Sequence, residues 1–133
     1  MDDLLRGAGL DRARSIEEAC RLVAAVRGRP LEVVEGDLGP GVTGLWLAFP
    51  DRDLVLVDAR QTLPGQHRDH VVAHELVHVL DAAASGPPPA GACRDGYDDP
   101  AERRVERLAS ELMISIASHG SSASRLTSLE LYR

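Results

Sequence analysis

Hydrophobic and polar positions alternate along this chain in periods that change from helical to extended and back. Residues 15–27 carry Ile16, Ala19, Cys20, Val23 and Val26 at helical spacing, so they predict a helix with one apolar face. Ser15 stands where an N-cap belongs, and Glu18 three residues later completes a capping-box pattern. Gly28 followed by Pro30 ends the helix. Residues 31–34 then read as a short strand, and residues 36–44, rich in Gly with Pro40 among them, as a loop. Two short apolar runs follow at 45–49 and 54–57. The polar stretch Pro50-Asp51-Arg52-Asp53 between them predicts a hairpin. Apolar residues return at helical spacing over residues 66–83. The run Gly86-Pro87-Pro88-Pro89 cannot continue that helix. Pro100 suits the first turn of a last helix extending to about residue 118. Residues 1–14 and 120–133 show no sustained period and are expected to be loosely ordered around a single domain spanning 1–133. Helix, strands, helix, helix is the order of an α+β domain rather than of a doubly wound sheet.

Composition narrows the functional classes. The hydrophobic fraction of 44% and charged fraction of 27% are those of an ordinary globular protein. With aromatics at only 3%, the core must be aliphatic. The net charge of −6 argues against direct nucleic-acid binding. Arg103, Arg104 and Arg107 do cluster, but Glu102, Glu106 and Glu111 share their segment, as in a salt-bridged helix face. No run approaches the ~20 apolar residues of a membrane helix. Cys20 and Cys93, the two cysteines, lie too far apart in sequence to suggest a disulfide framework. The start Met1-Asp2-Asp3 is not that of a signal peptide, so a cytoplasmic protein is expected.

The segment at 66–83 also carries chemistry. In His74-Glu75-Leu76-Val77-His78 the two histidines are four residues apart. On a helix they are separated by about 40° around the axis and one turn along it. Both imidazoles can therefore reach one Zn²⁺ ion. Glu75, next to the first histidine, can act as general base toward a water activated by the metal. A shuffled chain of this composition shows this pattern roughly once in a hundred. A buried helix with two hydrogen-bonded histidines is the plainer alternative.

A working zinc site needs a third protein ligand and an open position. No third histidine follows in the metzincin pattern. The last helix offers Glu102, Glu106 and Glu111. Glu102 is preferred as the ligand because 24 residues separate it from His78, room for a loop and a return. Glu106, one turn on, is then placed to hydrogen-bond a ligating histidine, with a ligand role as the alternative. His119 and Tyr97 are candidates for stabilising an oxyanion. His70 extends the histidine ladder, but the outer pair lies two turns apart, which is poor geometry for one ion. His67 reads as a loop or first-turn residue, and Cys93 as an incidental thiol. The run Leu54-Val55-Leu56-Val57 could offer a sheet edge to an extended peptide, provided the strand is not interior.

His74-Glu75-Leu76-Val77-His78 is preceded by a hairpin and followed by Tyr97-Asp98-Asp99-Pro100 and by Glu102 through Ser110. Together these resemble the ImmA/IrrE family of bacterial metallopeptidases over about residues 29–116. Glu102, Glu106 and Leu108-Ala109 match that family's glutamate helix, whereas Val105 and Arg104 depart from it. The resemblance implies a compact zincin-like domain, with a small, mostly antiparallel sheet on a central helix flanked by an N-terminal helix and a C-terminal glutamate helix. It implies zinc-dependent cleavage of a specific protein partner, such as a co-encoded helix-turn-helix repressor or antitoxin. A catalytically silent zinc-binding module, regulatory or part of a toxin system, is the alternative. The sequence leaves the oligomeric state open.

Overall fold

The computed structural model describes residues 1–62, 64–85 and 100–131, with side chains as far as His119. In chain order the elements are α1 (Asp3–Gly7), a 3₁₀ turn (Leu10–Arg12), α2 (Ile16–Arg27), β1 (Leu31–Gly36), β2 (Gly44–Ala48), β3 (Asp53–Asp58), α3 (Gln66–Ser85) and α4 (Pro100–Leu131). The class is α+β, with a three-stranded sheet on a central α3.

α3 is central because it is apolar nearly all round. Val71, Val72, Ala73, Leu76, Val77, Val79 and Leu80 are all buried, together with Glu75. It packs on α4, α2, β2 and β3. α4 meets it with Val105, Leu108, Ala109 and Leu112, spaced for one helix face and fully or nearly buried. α2 contributes Ile16, Ala19 and Val23. Its ends follow the expected chemistry: Ser15 Oγ accepts the Glu18 N–H at 3.0 Å, and Gly28 closes the helix at φ 70°. The apolar face is narrower than its sequence suggests, since Val26 is exposed.

The sheet order is β1-β3-β2. β2 and β3 form the expected hairpin, antiparallel from Gly44↔Val57 to Ala48↔Asp53 and closed by Phe49 N–H to Arg52 O. β1, however, pairs parallel to β3, Leu31↔Asp53 through Gly36↔Asp58. The sheet is therefore mixed rather than mostly antiparallel. Strand β3, an unbroken apolar run, is best buried with partners on both edges. The loop at 37–43 is long enough to carry the chain past it before it returns. This interior position rules out β3 as an edge for an added peptide. β2 lies at a sheet edge instead.

Two expectations about the ends also fail. Residues 1–14 are docked rather than loose: Leu5, Leu10 and Ala13 are completely buried, and Asp2 caps α1 by accepting the Leu4 N–H. Leu5, Leu10 and Ala13 keep no sustained period, yet each fills the core. α4 does not stop near residue 118 but continues to Leu131. Gly120 costs a formed helix only about 1 kcal/mol relative to Ala, and no proline follows to break it. Among the described residues no helix is long and apolar enough to cross a membrane.

Candidate metal centre

One turn of α3 presents His74 and His78 side by side, with ring centroids 5.0 Å apart. The first turn of α4, packed across them, brings in Glu102. His74 Nε2 lies 2.9 Å and His78 Nε2 3.1 Å from Glu102 Oε1. One ligand atom from each of the three residues falls within 4.8 Å of the others, so His74, His78 and Glu102 form a group that could hold a metal ion. Ligands around a tetrahedral ion at 2.0–2.1 Å stand about 3.3 Å apart. The two His–Glu102 separations would need to open by only a few tenths of an ångström. The set is two imidazoles and a carboxylate, each about one-fifth exposed, so a fourth position can face solvent.

Glu106 lies one turn beyond Glu102 and completes a carboxylate–histidine arrangement. Its Oε2 is 2.8 Å from His74 Nδ1, and its Oε1 is 2.6 Å from His70 Nε2. His74 thus has a carboxylate at each ring nitrogen. Burial disfavours its charged form, but the hydrogen bonds to Glu106 and Glu102 outweigh this and raise its pKa above the ordinary histidine value. The proton on Nε2 is the one a metal would replace. Nδ1–H would still donate to Glu106, fixing the tautomer and the ring plane. Burial likewise pushes the Glu106 carboxyl up, but His70 and His74 overcome it and hold the group below the usual range.

Glu75 is 4% exposed and lines the same cavity as His74 and His78. Gly44, the first residue of β2, makes room for it. A Cβ at Gly44 would lie 2.7 Å from Val71 Cγ1 and 3.3 Å from Glu75 Oε2. In the sequence Gly44 stands only as the end of the loop at 36–44. The available signal was a glycine opening an apolar strand, which often marks a close approach.

The cavity, about 470 Å³, lies between α3, the start of α4 and the rim at residues 41–45. Its rim depends on two residues that carry no motif. Asp58, at the end of β3, is buried and accepts the N–H groups of Leu38, Arg60 and Gln61. The Arg60 N–H contributes most to holding its carboxyl below the usual value. The Gln61 side chain bridges Asp58 to the rim. Its Nε2 reaches Asp58 Oδ2 and the Gly39 carbonyl, each at 2.6 Å, and its Oε1 accepts the Gly41 N–H at 3.1 Å. No local pattern could reveal this brace, since it joins segments about twenty residues apart.

The remaining candidates separate cleanly. His119 is not at the site. Its Nε2 lies 2.9 Å from the Asp11 carbonyl oxygen, against the N-terminal segment. Seventeen helical residues put its backbone roughly 25 Å from that of Glu102 along α4. His67 and His70 line the cavity, but His70 bonds Glu106 and does not join the three-residue group. Tyr97 and Cys93 lie outside the described residues. No family model, curated protein or solved structure matches the chain.

Proposed function

We propose that this chain is a zinc-dependent endopeptidase of the ImmA/IrrE type, acting on a specific protein partner. The observation that carries the reading is the convergence of His74, His78 and Glu102 beside the buried Glu75, on the wall of an open cavity. Two imidazoles and a carboxylate suit Zn²⁺. An ion held there supplies Lewis acidity, acidifying water and polarising a substrate carbonyl.

The chain's own residues do the rest. Glu75 takes the proton of the attacking water and returns it to the departing amine, so one carboxylate serves as base and then as acid. Gly44 keeps the space that lets that carboxylate face the reacting atoms. Glu106 holds the His74 ring in plane. The β2 edge, next to the cavity, offers backbone groups to an extended peptide. A helix-turn-helix repressor or antitoxin encoded beside the chain is the proposed substrate.

Glu75→Gln tests the reading. The variant should keep its metal and fold and lose about 10²–10⁴-fold in cleavage rate, the worth of a general base. The assay incubates the zinc-loaded protein with the neighbouring regulator, and with denatured casein as a general substrate. Cleavage by the variant at the wild-type rate would remove Glu75 from the chemistry. A wild type that binds zinc and the regulator yet cuts neither protein would favour the silent regulatory module.

A further inference from the structure

Arg103 stands between the two glutamates of the site and shares the fate of neither. Glu102 is engaged by His74 and His78, and Glu106 by His70 and His74. The next residue, Arg104, is held by Asp81 at 3.3 Å and lies 3.8 Å from Asp2. Arg103 lines the cavity, is exposed, and has no ion pair or hydrogen bond among the described residues. Among the described residues it is the one arginine on the cavity wall, and the nearby α4 carboxylates are occupied by imidazoles. Among the described residues nothing balances its charge, so an anionic group bound in the cavity can do so.

A guanidinium matches a carboxylate through two parallel hydrogen bonds, a geometry that a point charge does not supply. Other parts of the lining are apolar: Val42, Leu45 and Val71. Val42 is 39% exposed. The two surfaces together describe a ligand that is acidic at one position and aliphatic at a neighbouring one.

We propose that Arg103 is a specificity residue that recognises a carboxylate on the bound peptide, beside an aliphatic residue seated against Val42 and Leu45. The proposal rests on the peptidase reading of the same site. The carboxylate belongs either to an Asp or Glu side chain near the scissile bond or to the free C-terminus of the peptide. The chain's net charge of −6 does not oppose this. Screening at physiological salt confines bulk repulsion to about 8 Å, whereas Arg103 acts at contact.

Binding can be measured apart from cleavage, which keeps the two readings separable. The probe is a set of fluorescent alanine hexapeptides with one central leucine, capped at both ends. A single Glu is walked through the other positions, and each peptide is paired with its Gln counterpart. A third group carries no Glu but has a free C-terminal carboxylate. Anisotropy titrations use zinc-loaded Glu75→Gln protein, alone and combined with Arg103→Gln or Arg103→Glu. The acidic peptide should bind at least about tenfold more tightly than its Gln partner at one position. Arg103→Gln should erase that ratio, and Arg103→Glu should invert it toward a Lys peptide, with zinc content and Tm unchanged. Preference for the third group over internal Glu would assign the carboxylate to the C-terminus. Equal affinity for Glu and Gln peptides, a ratio that survives Arg103→Gln, or no binding of any peptide overturns the proposal. If wild-type protein binds acidic peptides selectively but cuts none of them, the peptidase reading fails and carboxylate recognition stands.

Discussion

Two carboxylate clusters in this molecule take nitrogen partners at short distance, with opposite results. At the first, Asp53 is completely inaccessible and takes both Arg27 and Arg29 through paired nitrogens at 2.8–3.1 Å, with the Trp46 indole N–H at 3.0 Å. At the second, Glu102 and Glu106 take imidazoles at similar distances. Distance and pairing do not tell the two apart. Donor chemistry and access do. Guanidinium is permanently charged and cannot ligate a cation, and Asp53 faces no described cavity, so that cluster ties α2 to the sheet. Imidazole can release a ring proton to solvent and bind a metal in its place, and the second cluster opens onto about 470 Å³ of space. A paired carboxylate marks a candidate site only when its partners can exchange protons or metal and a ligand can reach them.

Mutating each cluster sharpens that distinction. Asp53→Ala should have the largest effect on stability. Breaking a buried ion pair costs 3–5 kcal/mol, and the lower end applies because the two arginines are partly exposed. About 3 kcal/mol, or roughly 10 °C in Tm, is expected in a thermal melt, with zinc content per folded chain unchanged. Zinc lost in step with stability would merge the two clusters into one.

Glu106→Gln should do the reverse. It keeps the shape but weakens the partner of His74 Nδ1, so zinc affinity should fall about 10–100-fold in a competition titration, with a small change in metal-free Tm. Unchanged affinity would reduce Glu106 to a surface charge.

The smallest effect is that of pH. In metal-free protein the raised His74 pKa means that its pairing stabilises fully below the unfolded value of about 6.5 and is lost as pH rises through the folded value. With metal bound the sign reverses, because protons compete for Nε2 and acid weakens the complex. Tm measured from pH 6 to 9 with chelator should therefore decline relative to Tm measured with zinc. Parallel curves would contradict this.

Much of the second cluster could be read before any fold was known, and little of what surrounds it. His74, Glu75 and His78 are legible because helical spacing is local: four residues fix two side chains on one face. Glu102 and Glu106 are legible as a pair on one turn of α4, although only packing of α4 on α3 decides which of them reaches both histidines. The Asp53 cluster draws on α2, the turn before β1, and strands β2 and β3, so no short window of sequence contains it. The same holds for Gly44 beside Glu75 and for Gln61 beneath the rim. β3 was readable as a strand but not as the central one, since its place depends on where β1 ends up. The docking of Leu5 and Leu10 is hidden because their five-residue spacing matches neither a helix nor a strand.

His74, His78 and Glu102 must share one ion for this function, and a zinc titration at pH 7.5 with a chromophoric competitor tests this most directly. Wild type should bind one zinc per chain. His78→Ala and Glu102→Ala should each lose at least about 100-fold in affinity, more than loss of an outer partner such as Glu106, while staying folded by circular dichroism. Zinc bound as tightly by both variants as by wild type, or not bound by any of the three, would contradict it.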